Sequence, residues 1–357
     1  MLKLTNDQRK CFALVPIEDH WECIEAKKGP YDKFITYLYF DGDTIVKCIL
    51  DGDSQYCEYE LSEKVSPDRK YLLPKTAKGK PVLLSSSTIL KRNGIGMCLK
   101  YYDEYIDLYN ENTQCSYFSN IYLNDGICDV DSFSRWVEQW CNETTPSDIE
   151  DIAAFSKQKR KHVRFKEGDV FRFRIGRRLY GYGRILLDYS LMRKNKEPFW
   201  DILMSKPLVC SAYHIATERN DFSVNELIAV NSLPSTIIAD NSLFYGEFEI
   251  IGNIPIAENE DYPVMYGDSI SAGEKAVCYQ CGKTFMKIEG GTELYSDFIN
   301  NGVSFDLNLK LDILLKCIEE KSNAPYWENY YVYRTDRDLR NPKYIDKLNR
   351  IKKQFGL

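Results

Sequence analysis

The stretch Lys161–Tyr189, KHVRFKEGDVFRFRIGRRLYGYGRILLDY, decides the fold class. From Val170 to Ile175 apolar and basic residues alternate. In an extended chain this places Val170, Arg172 and Arg174 on one face and Phe171, Phe173 and Ile175 on the other. Gly176 marks a turn, and Tyr180–Leu187 returns as the partner strand. Gly181-Tyr182-Gly183 forms a GxG, but it lies inside the returning strand and opens no helix. A phosphate cradle is therefore not expected, and a bulge or close packing explains the two glycines better.

Towards the C-terminus, further β runs at Ile202–Met204, Leu208–Ile215, Ile228–Val230 and Phe244–Ile251 predict a strongly curved sheet or small barrel. AVCYQCGKTF (276–285) fits a strand turning at Gly282. Later the pattern turns helical. Leu311, Leu314, Leu315 and Ile318 share one face, and Ile345, Leu348 and Phe355 mark a last helix with Pro342 near its first turn.

Towards the N-terminus, Phe34–Phe40 and Thr44–Leu50 are separated by Asp41-Gly42-Asp43, a hairpin signal. Asp51-Gly52-Asp53 then leads into Tyr56–Leu61, so a three-strand meander is expected. Neither DGD continues into the oxygen-ligand spacing of a calcium loop. Residues 64–94 form a Lys-, Pro-, Ser- and Gly-rich loop interrupted by Tyr71–Leu73 and Val82–Leu84, and Ile95–Tyr109 predicts a strand pair turning near Asp103. Phe133, Trp136, Val137 and Trp140 recur at helical spacing with Asp131 as the N-cap, and the Trp pair is assigned to core. Ile149, Ile152 and Ala153 are placed on one side of a short helix.

The expected class is α+β, mostly β, with two domains, each a curved antiparallel sheet or small barrel with a few flanking helices. The expected boundaries are 1–145, a linker at 146–162, and 163–357; 357 residues suit two cores. Charge is uneven: residues 1–150 carry 17 basic and 25 acidic side chains, whereas 157–184 carry 11 basic and two acidic. An acidic body with one basic stripe results. No apolar run reaches membrane-spanning length, and MLKLTNDQRKCFALVP lacks the apolar core of an export signal, so the expected location is the cytoplasm.

Catalytic arrangements are not evident. The three His show no metal-site spacing, and neither a P-loop nor a GxSxG is present. The twelve Cys are scattered and expected to be reduced. Cys278 and Cys281 form a CxxC, but without a second pair or nearby His it is not read as a zinc site, so no metal or cofactor is expected. The segment APYWENYYVYRTDRDLRNP (324–342) combines rigid aromatics with a charged rim. Trp327, Tyr330 and Tyr331, with Glu328 and Asp336, are the candidate partner-binding residues, against the alternative that these aromatics pack onto the sheet.

From Val163 onward the order of features resembles the immunity protein 26 family of bacterial polymorphic toxin systems. The resemblance rests on Gly168, Asp169, Phe171, Tyr182, Gly183 and Arg184, within Gly168-Asp169-Val170-Phe171 and Tyr180–Leu186, and on a later Gly246-Glu247-Phe248 strand. It implies a mostly β domain that binds a cognate protein toxin without chemistry of its own. A nuclease is the toxin class whose basic site an acidic, aromatic surface would occlude. Asp169 and Arg184, on neighbouring strands, are expected to pair across the sheet. The alternative function is a nucleic-acid-binding or regulatory module using the basic stripe 157–184; the acidity of the whole chain argues against it.

Overall fold

The computed structural model describes residues 3–27, 29, 33–123, 125–195, 206–269, 273–290, 307, 309, 311–312, 314–315 and 338–357. They divide into two compact units, Met1–Ile121 with Asp125–Lys161, and Tyr122–Asn124 with His162–Leu357. Both are mostly β.

Unit 1 is built on a seven-stranded antiparallel sheet. Its strands are β1 (Glu22–Glu25), β2 (Phe34–Asp41), β3 (Thr44–Gly52), β4 (Gln55–Lys64), β7 (Ile95–Tyr102), β8 (Tyr105–Asn110) and β9 (Cys115–Ser119), adjacent in that order. The expected meander is present. Gly42, at φ +61°, takes the first central position of the two-residue β2–β3 loop, where a left-handed conformation matches the strand twist. The β7–β8 loop uses Asp103 and Glu104, both at positive φ, without a glycine. The excursion at 64–94 carries a small ladder of β5 (Tyr71–Leu72) and β6 (Val82–Leu83) and a helical turn, α2 (Ser86–Ile89). It covers the sheet face that holds Leu38, Phe40, Cys48, Tyr59, Leu61 and Cys98.

The opposite face is covered by α1 (Asn6–Lys10) and α3 (Val130–Asn142). The stripe Phe133, Val137, Trp140 is buried as its period requires. Phe133 stacks on Tyr101 at 4.8 Å, and Phe118 meets Trp140 edge-on at 5.0 Å. The cap is Asp129, two residues before the expected Asp131, because its carboxylate accepts from Ser132 N in a reciprocal box. Next comes α4 (Pro146–Ser156), capped by Thr145. Ile152 is buried, but Ile149 is exposed and does not line the helix's inner side.

Unit 2 holds two antiparallel sheets. The larger runs β13 (Thr236–Ala239), β12 (Pro207–Thr217), β11 (Tyr180–Asp188), β10 (Asp169–Arg174) and β14 (Glu249–Asn253); the smaller runs β15 (Val264–Asp268), β16 (Ala276–Cys281) and β17 (Thr284–Glu289). Among the described residues no sheet closes into a barrel, and each keeps two edge strands.

Two strand expectations are corrected. Ile228–Val230 is a turn, because Ser223 and Glu226 cap each other's backbone N–H and nucleate a short helix, α5 (Val224–Leu227), just before it. Phe244–Ile251 is strand only from Glu249, since Phe244 ends α6 (Asn241–Phe244) and Gly246 turns the chain at φ +79°. The run Ile202–Met204 lies outside the described residues. Of the helix expected around Leu311–Ile318, residues 311, 312, 314 and 315 are helical and the rest lies outside the description. The last helix, α7 (Ile345–Gln354), packs Leu348 and Ile351, followed by Phe355, against Tyr266 and Tyr279. Ile345 is 54% exposed and belongs to the outer side. No described helix is long and apolar enough to cross a membrane.

Candidate functional site

The residues singled out on the β10–β11 hairpin come together around one packing device. Register pairs Phe171 with Gly183 and Phe173 with Gly181. Each aromatic ring lies flat over the glycine opposite. A Cβ on Gly183 would stand 2.5 Å from Phe171 Cζ and 2.8 Å from the Ser211 carbonyl oxygen, and one on Gly181 would collide with the Phe173 ring. The two glycines therefore exist to admit the rings, and β11 breaks register with β12 between them. Phe248 closes the stack on the far side, 5.2 Å from Phe171 with planes 9° apart. The GxG is thus explained by close packing and a bulge together.

The flanking motif residues hold this hairpin to its neighbours. Gly168 sits at φ +87°, and a Cβ there would meet the Ile254 carbonyl oxygen at 2.5 Å. Its own backbone bonds to Ile185 O and Ile254 N, each at 2.8 Å. Asp169 is buried, accepting from Lys166 N at 2.8 Å and from Asn253 Nδ2 at 2.8 Å, so it fixes the entry turn and the start of β14's pairing. Arg184 donates to Glu260 at 2.6 Å and to the Pro255 carbonyl at 2.7 Å, with both side chains 13% exposed. The expected Asp169–Arg184 pair is absent. The residue opposite Arg184 is Val170; Asp169 is held by the Lys166 amide and by Asn253 at the end of β14, and Arg184 by Pro255 and Glu260 on the loop that follows. Tyr182 is fully buried and donates to the Arg219 carbonyl at 2.9 Å while packing on Phe222.

The face that carries Tyr182 also holds Arg172, Arg174 and Tyr180, the last buried in one cluster with Val170, Tyr182 and Leu227. Tyr180 lies between Arg172 and Arg174, whose guanidinium carbons stand 5.3 and 5.1 Å from its ring centre. Arg172 also bonds to Glu249 and to the Asn220 carbonyl. Arg178 is exposed at the hairpin tip, and Arg219 covers Phe222 at 4.2 Å. These contacts hold the guanidinium groups in fixed positions, as cation–π stacking does.

Trp327, Glu328, Tyr330, Tyr331 and Asp336 lie outside the described residues. Among the described residues no three His, Cys, Asp or Glu side chains converge as a metal site. Cys278 and Cys281, three apart on β16, project to opposite faces: Cys278 joins the cluster of Met265 and Leu186, and Cys281 packs with Tyr266 and Tyr279. The three histidines are dispersed. Burial pushes the His214 imidazole down to about 4, His162 stacks on Phe244 at 4.6 Å, and His20 is exposed 3.7 Å from Asp41.

A buried charge cluster in unit 1 gives no sequence signal, its members being 49 and 11 residues apart. Glu58, fully buried, accepts from Arg9 at 2.7 Å, Lys47 at 2.6 Å and Tyr56 at 2.7 Å. Burial raises its carboxyl, but Lys47 and Arg9 more than offset this and hold it below its ordinary value; burial lowers Lys47. All four groups satisfy one another beneath the helices, which is a structural arrangement more than an exposed acid–base site.

Residues 166–277 match the family model of immunity protein 26. The match begins at the turn before β10 and ends in β16, so it contains every residue of the hairpin device. No curated protein and no solved structure matches the chain.

Proposed function

We propose that the chain is an immunity protein. It binds the protein toxin of a bacterial polymorphic toxin system in the cytoplasm and neutralises it by covering its working surface, transforming nothing itself. The observation that carries this reading is the family match over 166–277, which falls on the sheet built around Phe171, Gly183 and Arg184. The aromatic and acidic residues Trp327, Tyr330, Tyr331, Glu328 and Asp336 are the proposed toxin contacts, suited to a nuclease whose active surface is basic. The reading expects a toxin gene beside this one, and co-expression with that toxin tests it: growth should be rescued and a stable complex should co-purify. Replacing Trp327 or Tyr330 by Ala should each weaken that complex by about 2 kcal/mol, roughly thirtyfold. Continued killing with no complex formed ends the proposal.

One observation favours a second reading. Lys157, Lys159, Arg160, Lys161, Arg164 and Lys166 are all exposed, as a polyanion-binding strip requires. Binding to an oligonucleotide that weakens steeply with salt, and is lost when these six are changed to Gln, would favour it.

A further inference from the structure

On the face of unit 1's sheet that the 64–94 excursion covers, two thiols meet. Cys57 on β4 and Cys98 on β7 place their sulfurs 3.7 Å apart. The strands are hydrogen-bonded neighbours, with Cys57 opposite Lys100 and Glu58 opposite Leu99, so Cys98 stands one diagonal step from Cys57 on the same face. Cys57 lines a solvent-open groove of about 230 Å³ together with Tyr59, Arg92, Lys100, Tyr109 and Glu111. Cys98 is fully buried behind it. One sulfur is thus reachable from solvent and the other waits in contact with it.

We propose that Cys57 and Cys98 form an oxidisable dithiol whose oxidant is hydrogen peroxide entering this groove. The Cys57 sulfur, as thiolate, attacks one peroxide oxygen. The O–O bond breaks, a sulfenic acid forms, and the other oxygen leaves as hydroxide and takes up the proton released by the thiol, giving water. Lys100 and Arg92, on the groove wall, are donors for that leaving oxygen. The Cys98 sulfur then attacks the Cys57 sulfur; the S–O bond breaks, the S–S bond forms, and the sulfenic hydroxyl leaves with the Cys98 proton as a second water. Two electrons pass from the two sulfurs to the peroxide, and two thiols become one disulfide.

The order follows from the surroundings. Burial pushes the Cys98 thiol well above its ordinary value, so it stays protonated and does not compete for peroxide. It acts once a sulfenic acid forms beside it. The sulfurs must close by about 1.7 Å to reach the roughly 2.05 Å of a disulfide, and their diagonal placement asks β4 and β7 to draw slightly together as the bond forms. The bond would link β4 to β7, the fourth and fifth strands of the sheet, across the floor of the groove. Cys48 is buried in the same apolar cluster and serves as the control.

The test treats the full-length protein with graded hydrogen peroxide, alkylates the remaining thiols, digests without reductant and maps the peptides by mass spectrometry. The expected product is a Cys57-to-Cys98 cross-link, reversed by reductant and still formed in Cys48→Ser. In Cys98→Ser, Cys57 should halt at the sulfenic acid, captured by a cyclic 1,3-diketone, with at least a tenfold gain in that adduct over the unmutated protein. If Cys57 and Cys98 both remain alkylatable after the exposed Cys23 and Cys128 are consumed, the dithiol assignment is wrong. Oxidation of Cys57 with linkage to Cys48, or with no linkage, overturns it equally.

Discussion

Gly183→Ala probes the packing device on which the matched region is built. The new methyl carbon would lie 2.5 and 2.7 Å from two atoms of the Phe171 ring and 2.8 Å from the Ser211 carbonyl oxygen, where carbon contacts normally sit at about 3.5 to 4.0 Å. Neither neighbour yields easily. The ring is backed by Phe248, and Ser211 is backbone of β12, paired to β11 through Arg184. Two-sided overpacking of this kind costs about 3 kcal/mol. The lost chain freedom of Gly in the unfolded state returns about 0.5 to 1 kcal/mol, leaving a net destabilisation of about 2 kcal/mol. Hydrogen exchange of the amides in 168–188, followed through a urea series, reads this locally in unit 2. Phe171→Leu removes the ring's far edge, so in that background Gly183→Ala should cost at least about 1 kcal/mol less than in the parent. A Gly183→Ala protein as stable as the parent, or a penalty independent of residue 171, refutes the idea that the glycine exists to seat the ring.

Other perturbations have equally definite expectations. Glu58→Gln leaves Arg9 and Lys47 buried without their counter-ion, so urea unfolding should show a loss of about 3 to 5 kcal/mol at pH 7. Because Glu58's folded carboxyl titrates below its unfolded value, its contribution is present above about pH 4 and lost as pH falls further, and the difference between parent and variant should shrink in acid. Asp107 has the opposite sign. Burial pushes its carboxyl up to about 6, against the Ser116 hydrogen bond and Lys100, so ionisation destabilises the fold as pH rises from about 4 through 6. Asp107→Asn should gain about 1 to 2 kcal/mol at pH 7.5 after allowing for the carboxylate's partial exposure, and nothing at pH 4. Arg184→Met strips Glu260 and the Pro255 carbonyl of their donor; limited proteolysis should cut within 255–260 several times faster, at a stability loss of about 2 kcal/mol. Zinc or a chelator should leave the thermal midpoint of the reduced protein unchanged, because Cys278 and Cys281 face opposite sides of β16.

Strands with strict alternation were legible from the sequence. Val170–Ile175 and its return at Tyr180 fall where the two-residue period puts them, and Asp41-Gly42-Asp43 marks its hairpin because few residues accept the turn's left-handed backbone. The Trp-bearing helix was equally plain, and only its cap was misplaced, since two aspartates two residues apart compete for the role. Apolar triplets were ambiguous. Ile228–Val230 has the composition of a strand, but the Ser223–Glu226 cap decides the local structure. Strands β13 and β15 are four and five residues long and lack the two-residue alternation that marks a strand. The pairings that give the site its form were beyond reach, because Asp169 finds Asn253 and Arg184 finds Glu260 across 84 and 76 residues, and one sequence holds no record of such contacts.

The placement of the motif residues bears on how the proposed function divides between scaffold and surface. Phe171, Tyr182 and Gly183 are interior, Gly168 and Asp169 are locked in backbone and side-chain bonds, and Arg184 is turned onto its own loop. Under the proposed function, toxin contact is left to residues outside the motif, the partly exposed Arg172 and Arg174 or the candidates Trp327, Tyr330 and Tyr331, and the motif acts by keeping the sheet in shape. This separates two kinds of loss of protection. In the motif, protection should track stability: Gly183→Ala should protect poorly at growth temperature and recover on cooling or with Phe171→Leu. Contact residues should behave otherwise, with Trp327→Ala losing affinity at every temperature while the unfolding midpoint stays fixed. A motif variant that folds as firmly as its parent yet no longer binds the toxin would place those residues at the interface, and the division drawn from their burial would fail.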